Sequence, residues 1–153
     1  TYIVPAFSGL GAPWWRDDIY ASISGMSRTT GREEIVKAGC ECIAYQINDV
    51  IDAMRKDSKI DISQMCVDGG PTRNKYLMQF QSDISQTEVK IPDAEELSVI
   101  GAGYLAGESA GYYDPDDIYK AITYNFFETK MQEQERSEKV HGWNEAVEML
   151  LKK

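Results

Sequence analysis

A chain of 153 residues, 42% hydrophobic and 27% charged, has the length and composition to bury one core as a single globular unit. Its formal net charge of -9 excludes a general attraction to nucleic acid or to an anionic membrane surface. No window has the apolar length of a membrane span, and no signal-peptide pattern is visible.

From the N-terminus, Val4 to Trp15 mixes glycines and prolines with apolar and aromatic residues, which predicts a packed loop. The paired Trp14 and Trp15 read first as anchors holding that loop to the body, and second as a stacking platform. Ile19 to Met26 alternates apolar and small residues as a strand does. Thr30 and Glu33 then form a capping-box signature, so a long helix is expected from there to Arg55-Lys56-Asp57-Ser58. A broad apolar face, from Ile35 and Ala38 through Cys42, Tyr45, Ile47 and Ile51 to Met54, recurs at three-to-four spacing along it.

Three cysteines are too few and of the wrong parity for a disulfide framework, so a reducing, cytoplasmic setting is expected. Cys40 and Cys42 point about 200° apart around a helix and cannot share one ion, and the lone His141 is far away in sequence. Small-residue packing is the reading for both thiols.

Met65 to Phe80 is the stretch that carries chemistry. A short apolar run ends in Asp68-Gly69-Gly70, Pro71 follows, and an amphipathic segment then begins, which predicts strand, tight turn and helix. Two glycines free the backbone and let a flat ligand approach the main chain, while a following helix start offers unpaired N–H groups and the positive end of its dipole. The dipeptide alone is equally at home in a simple connecting turn.

Asn74 to Ile84 reads as the helix, with Tyr76, Leu77, Phe80 and Ile84 on one face. Thr87 to Ile91 reads as a strand stopped by Pro92, with Val89 and Ile91 inward. Leu97 to Ala110 is rich in glycine and alanine, but its glycines do not make a dinucleotide fingerprint; a small-residue helix pressed against a neighbouring backbone is expected. Tyr112 to Asp117 reads as a turn and helix start, and Ile118 to Ile122 as a short helix. Phe126-Phe127-Glu128 leads into a polar stretch, Lys130 to Lys139, read as a solvated helix or ordered loop. Trp143, Val147, Leu150 and Leu151 form a terminal amphipathic helix that docks on the body. No repeat or linker divides residues 1–153, so one domain is expected.

Val67-Asp68-Gly69-Gly70, then Asn74, then Leu77 to Ile84 resembles the adenosine-contacting segment of the FGGY family of carbohydrate kinases, in the actin-like ATPase superfamily, and among them the kinases that act on glycerol. The Val4 to Trp15 loop is similar to a loop of the same kinases. Ala21 to Glu41 resembles the family's C-terminal signature, departing from it at Gly39 and Cys40, where bulkier apolar residues are expected.

The resemblance implies an α/β fold of the ribonuclease H-like, actin-like ATPase type, corresponding to about the last third of a family enzyme. It also implies ATP with Mg2+ as the donor system and glycerol as acceptor, with a pentulose such as xylulose, or a non-catalytic nucleotide-binding module, as alternatives. By the same resemblance Gly69 and Gly70 form the nucleotide-binding turn, and Asn74, one turn into the helix, hydrogen-bonds the adenosine. The catalytic base, phosphate loop and acceptor pocket then belong to an upstream part of the polypeptide, and no residue here is nominated as catalytic. The chain opens at Thr1 and is expected to be a piece of a longer protein, alone inactive. Missing upstream strands would leave a sheet edge unpaired, which makes self-association an expectation.

Overall fold

The computed structural model describes residues 1–93, 97–112, 114 and 122–152. A two-stranded antiparallel sheet pairs β1 (Tyr2–Val4) with β2 (Ser22–Ser24). The long helix α1 (Arg32–Ser58) leads to a second sheet, in which β3 (Gln64–Cys66) lies parallel to β4 (Glu88–Pro92) and β4 pairs antiparallel with β5 (Tyr124–Phe127). Between β3 and β4 the chain crosses over through α2 (Lys75–Ser85), the connection that parallel strands require. After β4 come α3 (Leu97–Ser109) and, following β5, α4 (Glu133–Leu151).

The core forms where α1, α2 and α4 meet. Tyr45 of α1 stacks on Trp143 of α4, with ring centroids 5.1 Å apart, and takes the edge of Phe80 of α2 at 5.4 Å. Leu77, Ile84, Val89 and Val147 close around them. Val89 is fully buried and Ile91 packs against the same cluster, as the alternation of β4 predicts. The terminal helix docks through Trp143, Ala146, Val147 and Leu150. Trp14 is the anchor expected of it: its indole Nε1–H and that of Trp143 both donate to Asp49 Oδ2, at 3.0 and 2.9 Å. Burial pushes the Asp49 carboxyl above its ordinary value, against the pull of the two indoles. Trp15 is 78% exposed and anchors nothing.

Several expectations are corrected. The cap of α1 sits one residue later than the Thr30–Glu33 pair implies. Gly31 precedes the first turn, the Glu34 carboxylate accepts its N–H at 2.8 Å, and the Thr30 hydroxyl instead accepts from Ser27 N–H at 2.8 Å. Only part of the apolar face of α1 is covered: Ala38, Cys42, Tyr45 and Ile51 are buried, whereas Val36, Ile43, Ile47, Val50 and Met54 form a second, exposed stripe. Helix α3 shows little of the close contact expected of it among the described residues. Among the described residues only its Gly107 is buried, and a Cβ added at Gly101 or Gly103 would meet nothing within 4 Å. The sequence predicts neither β1 nor β5 as a strand, because each is too short to show a pattern of its own; only Val4 of β1 falls in the expected loop, and only Phe126 and Phe127 of β5 in the lead-in. The polar stretch resolves at Glu133, where α4 begins. Most of the Tyr112 to Ile122 reading, Asp116 and Asp117 included, lies outside the described residues.

Candidate functional site

β3 delivers the chain to the paired-glycine turn. Val67 N–H still bonds to the Lys90 carbonyl at 3.0 Å, and Asp68 then turns outward. Its Oδ2 accepts the N–H of Leu97 at 3.1 Å, which caps α3 and ties that helix to the turn. Gly69 has φ +100° and ψ 172°, a region open in practice only to glycine. Its carbonyl accepts from both the backbone N–H and the hydroxyl of Thr72, at 3.0 and 2.7 Å. Gly70 opens a short 3-10 turn, Gly70–Arg73, with Pro71 in its first positions, where a missing N–H costs nothing. A Cβ built on Gly70 would meet no atom within 4 Å, so the face of this residue is bare main chain looking into open space.

The 3-10 turn separates the glycines from α2, contrary to the expectation that the helix opens at once. Asn74 is accordingly the N-cap of α2 and not a residue one turn inside it. Its Oδ1 accepts from Leu77 N–H at 3.2 Å. With that oxygen committed, the amide Nδ2–H2 is the group left to serve a ligand, and its neighbour is the weak acceptor Cys40 Sγ at 3.9 Å. Gly69, Gly70 and Asn74 are all exposed and lie within one continuous turn, so the structure brings the expected site residues together.

Beside Asn74 runs a groove of about 550 Å3 between the first half of α1 and the start of α2, lined by Arg32, Glu33, Val36, Lys37, Cys40 and Tyr76. Its lining combines apolar and charged side chains, and it is open to solvent. Cys40 is half-buried at this groove; the packing reading holds for the buried Cys42 alone. One residue on, Glu41 is 7% exposed and accepts a short hydrogen bond from the Tyr76 hydroxyl, with Lys37 Nζ 3.8 Å from the same oxygen. Burial first, then the bond to Glu41 and its charge, hold the Tyr76 phenol well above its ordinary value.

These residues were not singled out from the sequence. The signal was present: Glu41 falls in phase with the buried positions Ala38, Tyr45 and Asn48, and a carboxylate on a buried phase requires a donor. Among the described residues no three His, Cys, Asp or Glu side chains converge as a metal set, and no helix is long and apolar enough to cross a membrane.

Comparison with known proteins gives the fold its context. The C-terminal domain of the FGGY family of carbohydrate kinases matches residues 1–110. The glycerol kinase of Natranaerobius thermophilus is 47% identical over 153 residues, and that of Shewanella halifaxensis 43% over 148. These alignments cover 98% and 95% of this chain, which spans 30% of the length of either relative. The crystal structure of Plasmodium falciparum glycerol kinase with ADP superposes at a TM-score of 0.86 with 41% identity, again over 98% of this chain and 30% of that one. A xylulose kinase of Lactobacillus acidophilus shares the fold at a TM-score of 0.71 with 16% identity, covering 99% of this chain and 30% of that one. The structure is thus a part of the actin-like ATPase fold of these kinases, and the chain belongs to the FGGY family of carbohydrate kinases.

Proposed function

We propose that in the full-length protein this chain forms the adenosine-holding wall of an ATP-dependent kinase that phosphorylates glycerol to glycerol 3-phosphate. The observation that carries the reading is the bare face of Gly70, four residues before an Asn74 amide whose nitrogen meets the weak acceptor Cys40 Sγ at 3.9 Å, in a chain 41% identical to a glycerol kinase solved with ADP. A purine nucleoside lies against main chain at Gly70, and Asn74 Nδ2 donates to an acceptor on its base or ribose. Gly69 makes the bend and Asp68 holds α3 to it; neither enters the chemistry.

Phosphoryl transfer needs Mg2+, donors around the phosphates and an acid that orients the acceptor hydroxyl. The cation, the base and the acceptor pocket are assigned, on the family resemblance, to the rest of the polypeptide. Glycerol is preferred to xylulose as acceptor because sequence identity is 43–47% with glycerol kinases and 16% with the xylulose kinase. Residues 1–153 act as one unit, since α4 is pinned to α1 through Trp143 and Asp49. Three free cysteines accord with a cytoplasmic setting.

The test is Gly70→Val in the full-length protein. Beyond the adjoining residues the added side chain enters open space, so the melting temperature falls by no more than about 4 °C, the cost of a branched residue before Pro71. It also occupies the nucleoside's position, so calorimetry detects no ATP or ADP binding. Unchanged nucleotide affinity removes the assignment.

A further inference from the structure

The nucleotide turn is joined to α1 by two side-chain contacts on adjacent residues. Asn74 Nδ2 faces Cys40 Sγ, and two residues later the Tyr76 hydroxyl donates to Glu41 Oε1. At about 1.5 Å of rise per residue, both fall within the first turn of α2. The first contact is long and weak; the second is charge-assisted, made to a carboxylate that is nearly buried. A buried carboxylate costs several kcal/mol unless it is hydrogen-bonded, which holds the phenol in one place. The ring is fixed from its other side by stacking on Phe80, with centroids 6.1 Å apart and planes 14° from parallel. Phe80 in turn packs on Tyr45 in the core.

We infer that the Tyr76–Glu41 hydrogen bond is a latch that positions Asn74 for the nucleotide, making Tyr76 and Glu41 positioning residues of the site although neither is placed against the ligand. Without it, the Asn74 cap still closes α2 on Leu77 and Leu77 still packs in the core, but among the described residues the polar side-chain contact left between residues 74–76 and α1 is the 3.9 Å one to Cys40. The amide donor then samples positions outside the narrow range in which it meets an acceptor, and affinity falls while the fold persists.

This inference rests on the nucleotide reading of the turn, and its test separates the two. In the full-length protein, Tyr76→Phe deletes one hydroxyl and keeps the ring stack. ADP affinity by calorimetry and the KM for ATP weaken about tenfold, whereas kcat at saturating ATP and the KM for glycerol stay unchanged. Glu41→Gln retains an oxygen that accepts from the phenol, so it restores nucleotide affinity to within about twofold of the parent. The latch is overturned if Tyr76→Phe leaves ADP affinity intact, if the KM values for ATP and glycerol rise together, or if Glu41→Gln is as impaired as Tyr76→Phe. Loss of binding in Gly70→Val with none in Tyr76→Phe removes the latch alone. Unaltered binding in Gly70→Val removes the nucleotide reading beneath it.

Discussion

Asn74 does two jobs with the two ends of one amide. The oxygen satisfies an orphan N–H at the start of α2, and the nitrogen faces the groove. Substitutions that keep one end and lose the other separate folding from binding. Asn74→Asp preserves the acceptor and is a good N-cap, so thermal unfolding is unchanged, but it has no N–H to offer and places a charge beside the ligand. Nucleotide affinity of the full-length protein falls by about 1–2 kcal/mol or more. Asn74→Ala loses both and adds a cost of about 1 kcal/mol in stability, read in denaturant unfolding. If Asn74→Asp binds ADP as the parent does, the amide nitrogen is not a ligand donor. Asn74 is singled out in the sequence through its place in the segment that resembles the family's adenosine-contacting stretch. Its role as cap was not legible, because a 3-10 turn of four residues moves the helix start and leaves no periodicity to read.

Among the elements, α1 shows what a pattern can and cannot say. Its three-to-four spacing is strong enough to fix a helix, and the 27-residue helix is there. The same pattern contains two apolar stripes, and only tertiary partners decide which is covered: α2, α4 and β1 cover the first, and the described residues leave Val36, Ile43, Ile47, Val50 and Met54 in the open. Gly39 interrupts this helix. A Cβ there would meet only Ile3 Cδ1 at 3.8 Å, an ordinary contact, so close packing does not require glycine. Gly39→Ala therefore stabilises the chain by about 0.5–1 kcal/mol through reduced unfolded-state freedom, seen as a higher melting temperature. A fall on this substitution would mean that the groove side of α1 is tighter than its geometry indicates. Helix α3 poses the matching problem: small residues signal a close neighbour, but a sequence does not reveal whether that neighbour is in the same stretch of chain.

For the whole molecule, three features belong together. The outer edge of β3 pairs with no strand among the described residues, the second stripe of α1 is bare, and α3 exposes Val99 at 68% and Leu105 at 67%. An open strand edge beside apolar helix faces is the arrangement that recruits another chain. The 153-residue chain by itself is expected to self-associate, with a light-scattering mass that rises with concentration; a monomeric mass at millimolar concentration counts against this. On the proposed reading of this chain as part of a longer kinase, the same surfaces are offered to the remainder of that polypeptide; the chain spans 30% of the length of its relatives. The strand, glycine turn and helix were readable from the residues because they are local, whereas the actin-like fold and the nucleotide reading of the turn come with the family resemblance. The coverage of surfaces was not readable, since it depends on residues distant in sequence.

The two neighbouring glycines carry different kinds of history. At Gly69 the backbone angle alone forbids a side chain, so a lineage that had lost all enzymatic activity but still made this domain would keep it. At Gly70 no residue beyond its two chain neighbours stands in the way of a larger side chain, and the following Pro71 restricts its backbone only in part. Its persistence in a descendant would record continued selection for the guest, and its drift would be an early mark of a pseudoenzyme.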